Sequence, residues 1–203
     1  MEKTVAFRDF EERDIDFIYK CKNDPELNKM IVGQWHPFTY EEAVKWVHGC
    51  MGEHETFRFW AICTNDEVRR IVGWVSISDI DFENSKACFH SIVIGDPEYR
   101  LGFAWIESYM FVFRYVFDIL GLETLCDACL TVHPSTKTIN PVMYFKRVGT
   151  IENGANKNGV NYDIAQFELN QVDYKEHIKK GDYEMRSIIK RFTGIIRTQK
   201  NSR

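Results

Sequence analysis

The stretch Ile92-Val93-Ile94-Gly95-Asp96-Pro97-Glu98-Tyr99-Arg100-Leu101-Gly102-Phe103-Ala104 decides the fold, because it runs from a strand through a turn into the clearest helix of the chain. Apolar residues follow it at helical spacing, namely Trp105, Tyr109, Val112, Phe113, Val116, Phe117 and Leu120. Gly121 suits the position after a helix end, where glycine readily adopts the left-handed conformation. The pattern predicts one helix from near Gly102 to Leu120.

The start of this helix is a candidate anion site. The first helical turn has N–H groups without intrahelical acceptors and carries the positive end of the helix dipole, so it can hold a pyrophosphate without a dedicated basic pocket. Gly102 allows close approach of a ligand to the backbone. A plain capping turn is the alternative interpretation, since one glycine and one alanine at a helix start are a weak signal.

Upstream of this stretch, the sequence predicts one strand, a set of short helices and three consecutive antiparallel strands. Thr39 and Glu42 have the spacing of a capping box, which places a helix start there. The predicted strands are Thr4–Phe7, Phe57–Cys63, Ile71–Ile77 and Ala87–Ile94, and the predicted helices are Glu11–Cys21, a short piece opened by Asp24-Pro25, and one following Thr39.

Downstream, strands and helices alternate again, and Asn158-Gly159 predicts a hairpin turn. The predicted elements are a strand at Thr124–Val132, a helix at Ile139–Val148, and strands at Thr150–Asn153 and Tyr162–Leu169. The whole order predicts an α+β fold with a mixed, mostly antiparallel twisted sheet flanked by helices. We expect one domain over residues 1–170 and a helical C-terminal extension over 171–203, interrupted at Gly181.

Composition narrows the function classes. The 203-residue chain has a formal net charge of −4, which gives no general reason to expect nucleic-acid binding. No apolar run approaches the length that spans a bilayer, and the first residues lack a signal-peptide core, so we expect a cytoplasmic protein. Cys126-x-x-Cys129 has no second cysteine pair and falls on a predicted strand, where positions three apart face opposite sides. We therefore expect no metal site.

The central stretch resembles the GCN5-related N-acetyltransferase (GNAT) superfamily, especially its ribosomal-protein-alanine and spermidine acetyltransferase branch, over roughly residues 4 to 170. The family's strand ends in a phrase like Ile-Gly-Asp-x-x-Tyr and leads into Arg or Gln, two residues, Gly, one residue, then Gly or Ala. Gly102 and Ala104 match the last two positions, whereas Tyr99 stands at the basic position and Arg100 comes one residue later. The phrases 117–122 and 144–149 are similar to later family phrases.

The resemblance implies that acetyl-CoA is bound, with its pyrophosphate at the helix start. A bulge in the strand at 92–94 would offer a backbone N–H to the reacting carbonyl and to the pantetheine amides. The residues that the resemblance assigns to the cofactor are Ile92, Val93, Ile94, Tyr99, Arg100, Leu101, Gly102, Phe103, Ala104 and Asn140. For Asn140, a role as helix cap is the alternative interpretation.

The resemblance also implies direct attack of an amine on the thioester, which needs an acid for the departing thiolate and a base for the amine. Tyr144 is the candidate acid, adjacent to the family's tyrosine position, which Phe145 occupies. His90 is the candidate base, because it lies beside the cofactor segment and titrates near neutrality. Both have bland alternatives, a core or rim role for Tyr144 and a local hydrogen bond for His90. Other carboxylates in the pool are Asp79, Asp81, Glu83 and Glu98.

The acceptor class stays open at this point. A small-molecule amine, such as a polyamine, an amino sugar or an aminoglycoside, and a protein N-terminus are the candidates. The aromatic segment Gln34–Tyr40 falls at the family's acceptor wall, where its rings could face a cation or cover the core. The alternative function is a non-catalytic acyl-CoA-binding sensor or scaffold. A homodimer, formed through the C-terminal extension, is also compatible with the family.

Overall fold

A computed structural model describes residues 4–100 and 103–201 of the chain. The chain forms two compact units. The first contains the residues up to Ile31 together with Trp35–Asp81 and Ala87–Val112, and the second contains Val32–Gln34, Phe82–Lys86 and the chain from Phe113 onwards. Leu101 and Gly102, which the sequence assigns to the cofactor, lie outside the described residues.

The first unit is built on strands in the order β1-β2-β3-β4, and the first two pairs in this order are antiparallel. Its strands are β1 (Val5–Arg8), β2 (Arg58–Thr64), β3 (Ile71–Asp81) and β4 (Lys86–Ile94). Its helices are α1 (Ile15–Lys22), α2 (Pro25–Asn28), α3 (Tyr40–Cys50), α4 (Pro97–Arg100) and α5 (Ala104–Phe113). The predicted capping box is confirmed, since the Thr39 hydroxyl accepts from Glu42 N and the Glu42 carboxylate accepts from Thr39 N.

Helices cover both faces of this part of the sheet. Phe111 of α5 stacks on Phe7 of β1 and packs edge-on against Trp60 of β2. Phe59, the neighbour of Trp60 in β2, points to the other face, where it contacts Trp46 of α3 in a core that also includes α1. The strands are therefore held between α5 on one face and α1 with α3 on the other.

The second unit contains three strands in the order β5-β7-β6, with antiparallel pairs. Its elements are β5 (Thr124–Leu130), α6 (Ile139–Val142), β6 (Lys146–Lys157), β7 (Val160–Asn170), α7 (Gln171–Lys179) and α8 (Met185–Asn201). The predicted hairpin is confirmed, with φ of 52° at Asn158 and 83° at Gly159. The interruption of the C-terminal helices is also confirmed at Gly181, whose φ is 71°.

The central helix differs from its prediction at its second half. The α-helical part begins at Ala104 and ends at Phe113, and a π-helical segment follows over Arg114–Ile119. There the Leu120 N–H donates to the Tyr115 carbonyl, five residues back. The wider turn keeps the apolar side inward, which is why the sequence pattern does not reveal it. Gly121 ends the segment with a φ of 69°, as predicted.

The helix predicted over Ile139–Val148 is wrong in its length. Its described part, α6, ends at Val142, and Tyr144 adopts the left-handed conformation with a φ of 63°. The Phe145 N–H then donates to the Asn140 carbonyl, and β6 begins one residue later. Tyr144 thus lies at the junction between helix and strand and is not a helical residue.

The α+β class, with a mostly antiparallel sheet flanked by helices, is confirmed. In the part of the chain that the structure describes, no helix combines the length and the apolar character needed to cross a membrane.

Candidate active site

Strand β4, which carries His90, has an irregular backbone. A regular strand places residues i and i+2 on the same face. Phe89 stacks on Tyr109 of α5, with ring centroids 4.6 Å apart. The Ser91 hydroxyl instead lies 2.6 Å from the Ser76 hydroxyl, and Ser76 pairs with Phe59 on the α3 face. Phe89 and Ser91 thus face opposite sides, which indicates a bulge in β4 close to the one predicted at 92–94.

The end of β4 approaches its neighbour β3 very closely. A Cβ at Gly73 would overlap the carbonyl oxygen of Val93 and lie 3.1 Å from the Cα of Ile94. Since a side chain stands roughly perpendicular to the sheet, the Val93 carbonyl is rotated out of the sheet plane. The Val72 carbonyl accepts from Gly95 N at 2.9 Å and from the next N–H at 3.0 Å. Only glycine at position 73 permits this path of β4.

The turn after β4 is fixed by its own side chains. The Arg100 guanidinium donates to the carbonyls of Ile94, at 3.1 Å, and Gly95, at 2.8 Å. The Asp96 carboxylate caps the short helix α4 and pairs with Arg70 at 2.8 Å. Tyr99, at the family's basic position, is buried. In this structure Arg100 therefore orients the turn through two backbone carbonyls.

The turn also borders a cavity in the first unit. Gly95 lies against α1, because a Cβ there would come within 2.6 Å of Phe17 Cζ. The cavity has a volume of about 300 Å³ and is lined by residues of α1, α2 and the turn, among them Lys20, Asp24 and Asp96. Its lining mixes one cation with two carboxylates and does not by itself select an anion.

The start of α5 has the geometry of an anion-binding helix end. The first intrahelical bond is donated by Glu107 to the Phe103 carbonyl, so the N–H groups of the preceding turn point out of the helix start. Ala104 is fully buried, and its carbonyl accepts from the Ser108 hydroxyl. The described cofactor candidates thus lie at the end of β4 and in the turn up to Arg100, and then at the start of α5 from Phe103. The position of the pyrophosphate at this helix start stays a prediction.

His90 lies on the α3 face of β4, with its ring 6.0 Å from that of Phe59. Partial burial lowers the pKa of the imidazole, the charge of Asp79 raises it, and the charge of Lys22 lowers it. The net direction is downward, which favours the neutral, proton-accepting form. The residue as a whole remains exposed, so a substrate can reach it.

Lys22 is a residue of this site that sequence reasoning missed. Its ammonium lies over three aromatic rings, 4.1 Å from the centroid of Trp46 and 5.4 Å from those of Phe38 and Trp74. Burial lowers its pKa. The Trp35 indole donates to the Lys22 carbonyl at 2.7 Å, which ties the aromatic segment 34–40 to the end of α1. The aromatic segment 34–40 was predicted to face a cation, and its Phe38 ring does so. The cation is the ammonium of Lys22 and not that of a substrate.

Tyr144 lies in the second unit, where residues of the C-terminal extension hold its ring. His177 stacks on it, with centroids 3.6 Å apart and planes 12° apart, and the Arg191 guanidinium carbon lies 4.3 Å from the ring centre. Burial raises the pKa of the phenol, and Asp182 contributes in the same direction, whereas Arg191 opposes it. The phenol thus keeps its proton at neutral pH, as a proton donor requires.

Asn140 is fully buried in α6, where Thr138 and not Asn140 occupies the capping position. Its side-chain N–H donates to the Asp127 carboxylate of β5 at 2.6 Å. Burial raises the pKa of Asp127 to about 6. The Asn140 side-chain oxygen has no partner in the described parts of the chain. This buried acceptor is available to an N–H donor, and its cofactor role stays a prediction.

Comparisons with known proteins agree with this architecture. A family model described as an acetyltransferase (GNAT) domain matches residues 4–139. A solved spermidine N-acetyltransferase from Vibrio cholerae, in complex with CoA and spermine, is 20% identical, with a TM-score of 0.72, 84% of this chain covered and 98% of that one. A GCN5-related N-acetyltransferase from Brucella melitensis is 17% identical, with a TM-score of 0.70 and coverages of 86% and 82%. A search of curated proteins found no match. At these identities the solved structures support the fold alone.

Proposed function

The chain belongs to the GNAT acetyltransferase family, and from this premise we propose that it transfers an acetyl group from acetyl-CoA to a primary amine. The acceptor is a small molecule or a protein N-terminus. A cytoplasmic location and a homodimer stay predictions of the same proposal. The observation that carries it is the bulged β4 followed by the turn that Arg100 orients, with the start of α5 soon after in the chain.

The residues of this path suit acetyl-CoA. The molecule supplies an activated acyl carbon and a thiolate leaving group. The start of α5 offers backbone N–H groups to its pyrophosphate, which a helix end can hold without basic side chains. Because the helix start needs no basic side chain to hold the pyrophosphate, Arg100 can instead donate to the backbone carbonyls of the turn. The bulge of β4, made possible by Gly73, turns peptide groups away from the sheet, where they can pair with an extended ligand.

We assign the proton acceptor to His90. An ammonium ion is not a nucleophile, so a base must take a proton from the acceptor amine. The lowered pKa of His90 leaves the imidazole neutral at physiological pH, and the exposure of the residue admits a substrate. It follows that activity depends on the neutral form of this side chain.

We assign the proton donor to Tyr144. Its phenol keeps its proton at neutral pH, and the stacked His177 fixes the ring orientation. A thiolate is a good leaving group, so this residue accelerates the reaction less than the base does. The two assignments are independent, and each is tested by its own variant.

Calorimetric titration with acetyl-CoA tests the proposal. Wild type is expected to bind, and Gly102→Glu, which adds a carboxylate at the predicted pyrophosphate turn, is expected to lose at least about tenfold in affinity through charge repulsion. Gly194→Glu in α8 is the matched control, since a side chain there meets open space and the added charge is the same. Circular dichroism verifies that both variants fold.

Two outcomes contradict the proposal or change it. A folded wild type that does not bind acetyl-CoA rules the proposal out. Binding without release of CoA thiol, across a panel of amines, would favour the non-catalytic acyl-CoA sensor. Binding with amine-dependent release of CoA establishes the transferase.

A further inference from the structure

Among the described residues, the Lys22 ammonium has no ion-paired carboxylate. The titratable groups that interact with it are the thiols of Cys21 and Cys50 and the imidazole of His90. The guanidinium of Arg8, which is also largely covered, has Asp14 at 2.6 Å. Lys22 therefore differs from a cation that is ion-paired inside the protein.

The surroundings of Lys22 compensate its charge only in part. The rings of Phe38, Trp46 and Trp74 attract the ammonium through their faces, but a ring face is a weaker partner than a carboxylate. The two neighbouring thiols stay neutral, because burial raises the pKa of Cys21 to about 11 and that of Cys50 to about 12. An anionic ligand that pairs with a partly buried cation in this environment therefore lowers its free energy.

Lys22 and His90 share one face of the first unit. The Lys22 ammonium lies on the Trp46 ring, and Phe59 contacts both Trp46, with ring centroids 5.3 Å apart, and His90, with ring centroids 6.0 Å apart, so a small ligand bound beside β4 can reach both side chains. The aromatic rings between α1, α3 and β3 fix the direction of the Lys22 side chain. A ligand whose amine faces His90 can therefore direct a second group at Lys22.

We infer that Lys22 binds a carboxylate of the acceptor, so that the acceptor is an amine that also carries a carboxylate, as a free amino acid does. The inference rests on the proposed function and narrows its substrate class. Polyamines are poor acceptors on this account, because they bring a further positive charge to a site that already contains an unpaired ammonium. The acceptor therefore differs from the spermine bound by the Vibrio cholerae protein.

Pairs of amines that differ only by a carboxylate test the inference. Lysine and cadaverine, phenylalanine and phenethylamine, and histidine and histamine are titrated into the CoA-loaded protein and assayed for CoA release with acetyl-CoA. In at least one pair we expect the amino acid to be preferred by about tenfold or more, in affinity or in kcat/KM, as for hydrogen bonds to charged groups. A dipeptide amide with N-terminal aspartate distinguishes a peptide acceptor from a free amino acid, because its amine is a peptide N-terminus and its carboxylate is in the side chain.

Three variants assign the preference to Lys22. Lys22→Met keeps the length of the side chain without its charge and is expected to abolish the preference. Lys22→Arg keeps the charge and is expected to retain most of it. Lys45→Met, on the exposed side of α3, removes a charge beside Trp46 and is expected to change nothing.

The failure of this inference is distinguishable from that of the proposed function. If acetyl-CoA binds and amines release CoA, but no amino acid is preferred over its decarboxylated partner, the inference is overturned and the transferase stands. A preference that persists unchanged in Lys22→Met also overturns it. A wild type that binds no acetyl-CoA defeats both.

Discussion

Two aromatic clusters of this protein hold a polar group in different ways. Around Lys22, three rings face an ammonium that has no carboxylate partner in the described chain. Around Tyr144, the neighbouring charged groups are anchored: His177 pairs with Asp182 at 2.7 Å, and Arg191 Nε donates to the Val142 carbonyl, while Arg191 Nη2 has no hydrogen-bond partner in the described chain. The first cluster leaves a charge for a ligand, whereas the second uses its charges to fix a ring.

The clusters also differ in how far the family resemblance supports them. The family model matches residues 4–139, which include Lys22 and His90 and exclude Tyr144. The groups that hold Tyr144 come from α7 and α8, in the extension beyond residue 170. The proposed role of His90 therefore lies within the matched region and rests on local chemistry, whereas that of Tyr144 lies outside it and rests on local chemistry and on the resemblance of the phrase 144–149. Variants in the two clusters show whether this difference matters for catalysis.

The largest expected effect is at His90. Replacing it with Gln keeps a polar side chain but removes the base, and kcat/KM should fall by about 100-fold, as for loss of a general base. In the wild type, kcat/KM should fall with decreasing pH as the imidazole becomes protonated. Because the pKa of His90 is lowered, this fall should occur below the ordinary value of about 6.5. Steady-state assays across pH measure both effects.

His48 offers the control, since it is an exposed histidine at the end of α3. His48→Gln should retain the wild-type pH profile. The electrostatic interaction between Lys22 and His90 is testable by NMR titration of His90, whose pKa should rise in Lys22→Met because a positive charge is removed. An active His90→Gln enzyme with an unchanged acid limb would transfer the role of base to another residue.

A smaller effect is expected at Tyr144. Tyr144→Phe keeps the ring that His177 and Arg191 hold but removes the acidic proton, so kcat should fall by about tenfold, less than for a typical proton-transfer group because a thiolate leaves readily. The melting temperature should stay near that of the wild type, because the ring contacts persist. A thiol-release assay and a thermal melt measure the two quantities. Full activity in this variant would show that the cluster around Tyr144 has a structural role and no role in proton transfer.

The sequence was a good guide to the first unit because its elements are defined by local patterns. The Thr39–Glu42 capping box and the alternating strands needed no tertiary information. The bulge of β4 was expected from family resemblance, and the contacts of Phe89 and Ser91 support it. Lys22 was missed because a lysine at the end of an amphipathic helix ordinarily reaches water. Its aromatic partners come from α3, β3 and the loop before α3, far apart along the chain.

The second unit was harder to predict near Tyr144. The apolar residues after Pro141 have helical spacing, but the chain leaves the helix at Tyr144 through a left-handed residue that is not glycine. Such a residue is stabilised by tertiary contacts, here the rings and charges of α7 and α8, which a local pattern does not contain. The π-helical segment after Phe113 was missed for a similar reason, since it keeps the apolar face inward.

The smallest expected effect is at Tyr183, which separates packing from chemistry in the second cluster. Tyr183 is buried, and its hydroxyl donates to the carbonyl of Met143, the residue before Tyr144, at 3.2 Å. Tyr183→Phe should lower the free energy of unfolding by about 1 kcal/mol, the usual contribution of one hydrogen bond. Its kcat should stay within about twofold of the wild type, because hydrogen bonds within the core are not part of the proton-transfer path. Urea unfolding and steady-state assays measure these values.

The pair Tyr144→Phe and Tyr183→Phe removes the same atom, the phenolic oxygen, from two neighbouring rings. A loss of activity confined to Tyr144→Phe would identify the Tyr144 proton as the cause. Equal losses in both variants would identify the shape of the cluster as the cause.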